Sequence, residues 1–258
     1  MNTFFKILAA LAAVVALAVG AIFYFTADMV SSAEGFFTAI KRNNLDEAYG
    51  YLSEDFRTNT SKAELGHFLG ANGIDDIRQA DWQSRSVNGG RGKLTGSVTT
   101  ENNGVVPLSL SFVKSRDGWK IYSIEKPASG IRTESGAQEM PSERQQVRLV
   151  SESMHVFAES LNDGNMIRFH SHVSGLWQQQ FSPENFEESF APFFGKGLDL
   201  TVLKDLSPQF TTRPMINDEG VLIIKGQYPT KPKKVFFEQK YIYEGLGWKL
   251  VGFSADIK

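Results

Sequence analysis

The residues with the widest chemical range in this sequence are its four histidines, because imidazole titrates near neutral pH and binds metal ions. Two of them lie close together in the segment His170-Ser171-His172. On a strand both side chains would face one side and could bind a metal ion. We assign a helix here, and a helix turns residues two apart by about 200°. We therefore expect surface or partly buried histidines, with no metal ion and no other cofactor.

Acid–base chemistry could also come from paired side chains. His155 and Glu159 are four residues apart and share one face of a predicted helix, which is more typical of an ordinary polar pair than of a catalytic one. Asp75 and Asp76 could split their pKa values, but an Asp-Asp pair after a glycine is more typical of a turn. The chain has no cysteine, which excludes disulfides, thiolate metal sites and a cysteine nucleophile. The sequence therefore assigns no catalytic residue.

One pattern occurs twice and organises the elements that must position these residues. At an offset of 121, Phe36, Ile40, Asn44, Ser53 and Phe56 return as Phe157, Leu161, Asn165, Ser174 and Trp177. The segment that begins at Gly118-Trp119 returns at Gly247-Trp248, now at an offset of 129. The offset grows by eight, so we expect an insertion in the second copy, and residues 207–220, with two prolines, are the expected place.

Each copy begins with helical patterns and ends with strand patterns. In the first copy we predict a helical stripe from Val30 to Ile40, helices beginning at Leu45 and after Ser61, and strands at 94–100, 108–112 and 119–124. In the second copy we predict helices at 144–161 and after Ser182, and strands at 200–203, 221–228, 235–243 and 248–253. Helices followed by an antiparallel sheet indicate the α+β class.

The first residues are typical of a membrane anchor. Residues 7–26 are an apolar stretch of 20 residues, long enough to cross a bilayer core, and Phe23-Tyr24-Phe25 lies where an interfacial aromatic belt is expected. A cleaved signal peptide is the alternative, but cleavage after Gly20 would leave an exposed apolar terminus. Lys6 before the stretch and Asp28 after it favour an orientation with the bulk of the chain outside.

These observations divide the chain into five parts. We predict a short cytoplasmic start at 1–6, a transmembrane helix at 7–27, a first α+β repeat at 28–126, a linker at 127–143 and a second α+β repeat at 144–258. The linker is rich in Gly, Ser, Pro and Glu and has no apolar period. The net charge of −2 and the lack of a basic half argue against nucleic-acid binding.

The helix order, the "Ala-Tyr-x-x-Leu-Ser" segment at Ala48 and the final "Gly-Trp-Lys" strand resemble the nuclear-transport-factor-2-like superfamily. The resemblance implies two tandem cone-shaped domains, each with helices packed on a curved antiparallel sheet. Catalytic members place an Asp, His or Tyr inside the cone. The resemblance therefore makes Tyr49 and Asp81 the candidate ligand-binding residues of the first repeat, and His170 and Trp177 those of the second.

Two functions follow from this layout. The first is a membrane-anchored, non-catalytic binding or scaffold protein of the cell envelope, on the periplasmic side of the inner membrane, with a protein or a small apolar ligand as its partner. The second is an isomerase-, dehydratase- or hydrolase-like enzyme that uses one cone cavity. An enzyme predicts an inward-facing Tyr, His or Asp bonded to another polar group, whereas a scaffold predicts interiors filled by aromatic side chains. The absence of an acid–base set common to both repeats favours the first function.

Overall fold

The computed structural model describes residues 26–127, 139–194 and 200–258. The predicted transmembrane helix, residues 7–27, lies outside the described residues except for its last two positions, and most of the predicted linker also lies outside them. Over the ranges just given, no helix has both the length and the apolar character needed to span a bilayer. The chain divides into two compact units, Met1–Arg132 and Thr133–Lys258, which we call the first and the second unit.

In its described residues, 26–127, the first unit has four helices followed by four strands. Residues 26–41 are helical and form α1. The other helices are α2 (Leu45–Gly50), α3 (Glu54–Asn59) and α4 (Lys62–Ala71). The strands are β1 (Ile77–Asn88), β2 (Arg91–Thr100), β3 (Val105–Ser115) and β4 (Gly118–Glu125), and they pair antiparallel in the order β1-β2-β3-β4.

Capping side chains and apolar faces explain these elements. Asn44, Ser53 and Ser61 each accept a hydrogen bond from a backbone amide in the first turn of α2, α3 and α4, and Ser61 forms a capping box with Glu64. The predicted stripe of α1 is buried at Ala33, Phe37 and Ile40, and Leu94 and Leu108 are buried on the sheet. The core of the first unit is therefore built from apolar faces of its helices and its sheet.

The described part of the second unit, residues 139–194 and 200–258, contains four helices, two short 3-10 helices and five strands. The helices are α5 (Glu143–Asp163), α6 (Ile167–His172), α7 (Gly175–Gln180) and α8 (Pro183–Ser189), and the 3-10 helices are Ala191–Phe193 and Thr201–Asp205. The strands are β5 (Gln209–Phe210), β6 (Met215–Ile216), β7 (Leu222–Tyr228), β8 (Val235–Glu244) and β9 (Gly247–Ile257). Strand order is β5-β7-β8-β9, and β6 also pairs with β7. The α+β class with two antiparallel sheets is confirmed.

One predicted strand is wrong. Residues 200–203 are not a strand, because Thr201–Asp205 is a 3-10 helix that buries Leu200 and Leu203. Apolar residues three apart fit a 3-10 turn, and a short apolar run does not by itself separate a strand from a helical turn. Besides the three confirmed strands β7, β8 and β9, the sheet contains β5 and β6. These two strands are two residues each and lie within the predicted insertion at 207–220.

Several local features recur at the two sequence offsets. Helices α3 and α7 begin after Ser53 and Ser174, and in each case the serine side chain accepts the backbone amide three residues on. Leu52 forms a parallel bridge to Ile121 on β4, and Val173 forms one to Leu250 on β9. These bridges place the segment before each helix against the last strand of its own sheet.

The last two strands of each sheet also match pair by pair. Phe112 pairs with Ile121, and Tyr241 pairs with Leu250. The register shifts between Ser111 and Phe112 in the first unit, and between Lys240 and Tyr241 in the second. Bulges disturb pairing at specific positions. Because the two shifts are 129 residues apart, residues at this offset occupy equivalent positions on the two strand pairs.

Candidate functional site

A buried group of polar side chains lies inside the second unit. It consists of Ser153 on α5, His172 at the end of α6, and Gln239 and Tyr241 on β8, and we call it the polar cluster. Ser153, Gln239 and Tyr241 are at most 1% exposed, and His172 is half-buried. Polar groups at this depth are costly unless they are hydrogen-bonded.

Secondary structure places these four side chains together. Strand β8 alternates, so Gln239 and Tyr241 share the buried face of the sheet with Phe237. On α5, Ser153 lies on the buried stripe beside Val150 and Met154. The C-terminal position of His172 on α6 brings its ring to Ser153.

The polar cluster is a continuous chain of hydrogen bonds. His172 Nε2 lies 3.1 Å from Ser153 Oγ, and the Ser153 and Tyr241 hydroxyl oxygens are 3.2 Å apart. The Tyr241 hydroxyl donates to Gln239 Oε1. Because that hydroxyl has only one proton, Ser153 donates to Tyr241, and His172 donates to Ser153 through Nε2–H.

The last residue of this hydrogen-bonded chain, Gln239, has a donor without an acceptor. Gln239 Nε2 is fully buried and has no hydrogen-bond partner in the described part of the molecule. A buried donor without a partner costs about 1–3 kcal/mol. This amide is therefore the donor of the polar cluster that would gain free energy from a further hydrogen-bond acceptor.

Burial keeps both titratable members of the polar cluster uncharged at neutral pH. Desolvation, with a smaller contribution from the Lys249 charge, lowers the pKa of His172 to about 4. Desolvation also raises the pKa of Tyr241 well above its usual range, and the Ser153 hydrogen bond only partly opposes this. The polar cluster is therefore a set of neutral donors and acceptors.

Aromatic rings fill much of the remaining interior of the second unit. Phe157 packs against Phe169, Phe190 and Phe253 at centroid distances of 5.5, 4.9 and 4.6 Å. Most of these contacts are edge-to-face, which is favourable for aromatic pairs. Gln239 lies opposite Phe253 in the sheet, so the polar cluster borders this aromatic group.

The first unit has apolar side chains at the matching sheet positions. At the offset of 129, Leu110 corresponds to Gln239 and Phe112 corresponds to Tyr241, and both are fully buried. At the offset of 121, Ser32 corresponds to Ser153, and its hydroxyl donates to the Trp119 carbonyl at 2.8 Å. The sheet positions of the polar cluster are therefore polar in one unit only.

The two candidate residues in the first unit have separate surroundings. The Tyr49 hydroxyl lies 2.7 Å from the Thr60 carbonyl and 3.1 Å from the Arg57 carbonyl, so it ties α2 to the end of α3. Asp81 is exposed on β1 and accepts a hydrogen bond from the Gln79 amide at 2.8 Å. Each side chain is occupied by a local contact.

The two candidate residues in the second unit meet around one phenylalanine. His170 Nε2 donates to the Phe181 carbonyl at 2.9 Å, and its ring lies 6.0 Å from that of Phe186. Trp177 packs edge-on against Phe186 at 5.0 Å. Both side chains thus hold α6, α7 and α8 together, and neither belongs to the polar cluster.

Sequence reasoning named one member of the polar cluster, His172, only as half of a possible metal pair. The ring of His172 faces Ser153, whereas the ring of His170 faces Phe181 and Phe186. Across the described ranges, no three His, Cys, Asp or Glu side chains are placed to bind a metal ion. A signal was present: Gln239 interrupts an alternating apolar strand at an inward position.

Two sets of polar or charged side-chain pairs outside the polar cluster are surface contacts. His155 Nε2 lies 3.0 Å from Glu159, as the spacing of four predicts. Lys225 and Lys240 both pair with Glu238, and these contacts lower the pKa of that carboxyl. Exposed pairs of this kind contribute little to stability.

Comparisons with known proteins give two solved structures and no family. No family model matches the chain, and no curated protein matches it. A cystatin-like protein from Ruminococcus gnavus ATCC 29149 is 13% identical, with 91% of each chain covered and a TM-score of 0.26. An Ntf2-like protein involved in plasmid conjugation is 12% identical, with 88% of this chain and 94% of that chain covered and a TM-score of 0.24. Similarity of this size does not establish a shared function.

Proposed function

We propose that this protein is a non-catalytic binding protein of the cell envelope. In this proposal, the apolar stretch at 7–27 anchors it in the membrane, and the two units are copies of one cone fold of the nuclear-transport-factor-2-like type on the extracytoplasmic side. The second unit binds a small ligand in its interior, and the first unit is structural or contacts a protein partner.

The observation that carries this proposal is the geometry of the polar cluster: each proton of its hydrogen-bonded chain has a protein acceptor, and the buried Gln239 Nε2–H has none among the described residues. The protonation state of the polar cluster agrees with this. General acids and bases work best with a pKa near the operating pH. The pKa of His172 is lowered to about 4 and that of Tyr241 is raised, so one pKa lies well below pH 7 and the other well above it. Both groups are therefore uncharged at neutral pH. Groups in this state donate and accept hydrogen bonds but transfer protons poorly, which favours binding over catalysis.

The matched strand pairs support the idea of two copies. The shifted registers before Phe112 and Tyr241, and the serine caps of α3 and α7, occur at the offsets found in the sequence. Independent folds would have no reason to share both a bulge position and a cap position.

The contact between Ser153 and His172 favours one alternative, a hydrolase-like or isomerase-like enzyme. A serine beside a histidine is the arrangement of an activated nucleophile. In this hydrogen-bonded chain, however, His172 donates to Ser153, and the single proton of Ser153 is directed toward Tyr241. The histidine therefore does not accept the serine proton as a general base would, so we rank the enzyme below the binding protein.

Two measurements on the full-length protein test this proposal. Alkaline extraction of membranes should leave the protein in the pellet, whereas a variant without residues 1–25 should be released; release of the full-length chain would contradict the anchor. Small molecules extracted from purified protein should be recovered unchanged, by chromatography and NMR, after incubation with fresh protein. Conversion that is lost in Ser153→Ala would instead establish the enzyme.

A further inference from the structure

The buried sheet positions that differ between the two units point to the ligand of the second unit. We propose that the interior of the second unit binds a small, uncharged, largely apolar molecule, and that Gln239 Nε2 donates a hydrogen bond to an oxygen acceptor on it. This inference rests on the proposed binding function and names the class of ligand for the same site.

The fold does not require these polar side chains. Leu110 and Phe112 occupy the matching positions in the first unit, with matching partners across the strand pair and the same register shift. Replacing such residues by Gln and Tyr adds buried polar atoms that need partners. A change that costs stability and is confined to one unit indicates a role beyond packing.

The hydrogen bonds of the polar cluster run in one direction. The chain runs from His172 through Ser153 and Tyr241 to Gln239 Oε1, and each proton in it already has an acceptor. Hydrogen bonds in a chain polarise one another. The Gln239 amide N–H lies beyond the end of this chain, is fully buried and has no acceptor among the described residues. A hydrogen bond from this N–H therefore needs an acceptor that the described residues of the protein do not supply.

The neighbours of Gln239 in the sheet are apolar. Gln239 lies between Ile224 and Phe253 in the sheet, and Phe237 precedes it on the same face. A carboxylate or phosphate placed against these apolar neighbours would lose its hydration without a compensating charge. An uncharged ketone, amide or ether oxygen also loses its hydration, but at a much smaller cost that one hydrogen bond from Nε2 can offset. The rest of the ligand would contact aromatic rings and should be apolar.

Acetophenone and ethylbenzene form a matched pair of probes, because they have nearly the same shape and only acetophenone carries an acceptor. A purely apolar interior prefers ethylbenzene, since the ketone is the better solvated in water. We expect the wild-type chain to prefer acetophenone about tenfold, with a Kd on the order of 1 mM, as one added hydrogen bond to a small probe allows. In ¹⁵N-labelled protein, acetophenone should also shift the Gln239 side-chain amide resonances, and ethylbenzene should not.

Gln239→Leu, which introduces the residue of the first unit, should reverse or abolish the preference. Gln83→Leu, the same change at an exposed position of β1, should leave it intact. Equal binding of the two probes, no binding of acetophenone, or an unchanged preference in Gln239→Leu would each overturn the site. If the variant does not fold, the side-chain shifts of the wild-type protein still decide. Selective binding followed by chemical conversion of acetophenone would keep the site and overturn the non-catalytic function.

Discussion

At the scale of single residues, His172 makes the stability of the protein depend on pH. Its pKa is lowered from 6.5 to about 4 in the folded chain. Between these values the unfolded chain takes up a proton that the folded chain does not. The free energy of unfolding contributed by this residue is therefore fully present above pH 6.5 and is lost as the pH falls toward 4, by about 3 kcal/mol in total.

We predict that His172→Gln flattens the pH dependence of stability between pH 6.5 and 4. Glutamine does not titrate, and its amide keeps an N–H that can donate to Ser153. Urea unfolding at a series of pH values measures the effect. His67→Gln, on the exposed surface of α4, is the matched control and should retain the wild-type slope. A wild-type slope in His172→Gln would show that another group causes the dependence.

A second prediction concerns the coupling between Gln239 and Tyr241. Tyr241→Phe should cost about 1–2 kcal/mol, because it leaves Gln239 Oε1 without its donor. Gln239→Leu removes the acceptor of Tyr241 but also the unpartnered Nε2, so it should cost less. The double variant has the apolar pair of the first unit and should be more stable than the sum of the single changes predicts, by about 1 kcal/mol. Strict additivity in urea unfolding would contradict the hydrogen-bonded chain.

The sequence predicted the environment of some of these residues and not of others. The spacing of His155 and Glu159 was sufficient to predict their polar contact, because both lie on one helix. The polar cluster was missed because its members come from α5, α6 and β8, and only tertiary structure brings them together. The inward position of Gln239 on an alternating strand was the one local indication.

At the scale of elements, the serine caps of α3 and α7 do more than begin a helix. The amide of Ser53 donates to the Ile121 carbonyl, and that of Ser174 donates to the Leu250 carbonyl, both at 2.8 Å. Each serine therefore joins the start of a helix to the outer edge of the last strand and covers that edge locally. A covered edge is unavailable for pairing with another chain.

We predict that Ser174→Ala and Ser53→Ala each destabilise the protein by about 1–2 kcal/mol. Both hydroxyl groups accept an amide at 3.2 Å and lie in buried positions, so water replaces the lost bond poorly. Ser254→Ala, at an exposed position of β9, is the control and should change stability by less than about 0.5 kcal/mol. Differential scanning calorimetry on the three variants compares them directly; equal effects at all three positions would refute the role of the caps.

Helices and hairpins were the elements that the sequence predicted well. The α5 prediction at 144–161 is confirmed within two residues at each end, and the strands predicted at 235–243 and 248–253 are the paired strands β8 and β9. The turn at Gly89-Gly90 connects β1 and β2, and both glycines have positive φ, which their lack of a side chain permits. The error at 200–203 and the short strands β5 and β6 fall where apolar runs are only a few residues long, so periodicity carries little information.

At the scale of the whole molecule, the second unit has a complete core of its own. Its buried apolar cluster extends from Val150 on α5 to Leu250 on β9 and includes Phe157, Phe169 and Tyr241. A domain of this size can bury enough apolar surface to fold alone.

We therefore predict that residues 139–258, expressed alone, unfold in one cooperative transition. Coincident transitions by circular dichroism and tryptophan fluorescence would support this. A fragment with native helix content but no cooperative transition would show that the second unit depends on the rest of the chain.

The central claim is that the interior of the second unit binds a ligand through the polar cluster. A crystal structure of the full-length protein, purified from its own cells without added compounds, tests it most directly. We predict electron density for a non-protein group with an acceptor atom about 3 Å from Gln239 Nε2, and solid apolar packing at Leu110 in the first unit. A Gln239 amide that donates to a protein acceptor, with no foreign density beside it, would contradict the claim.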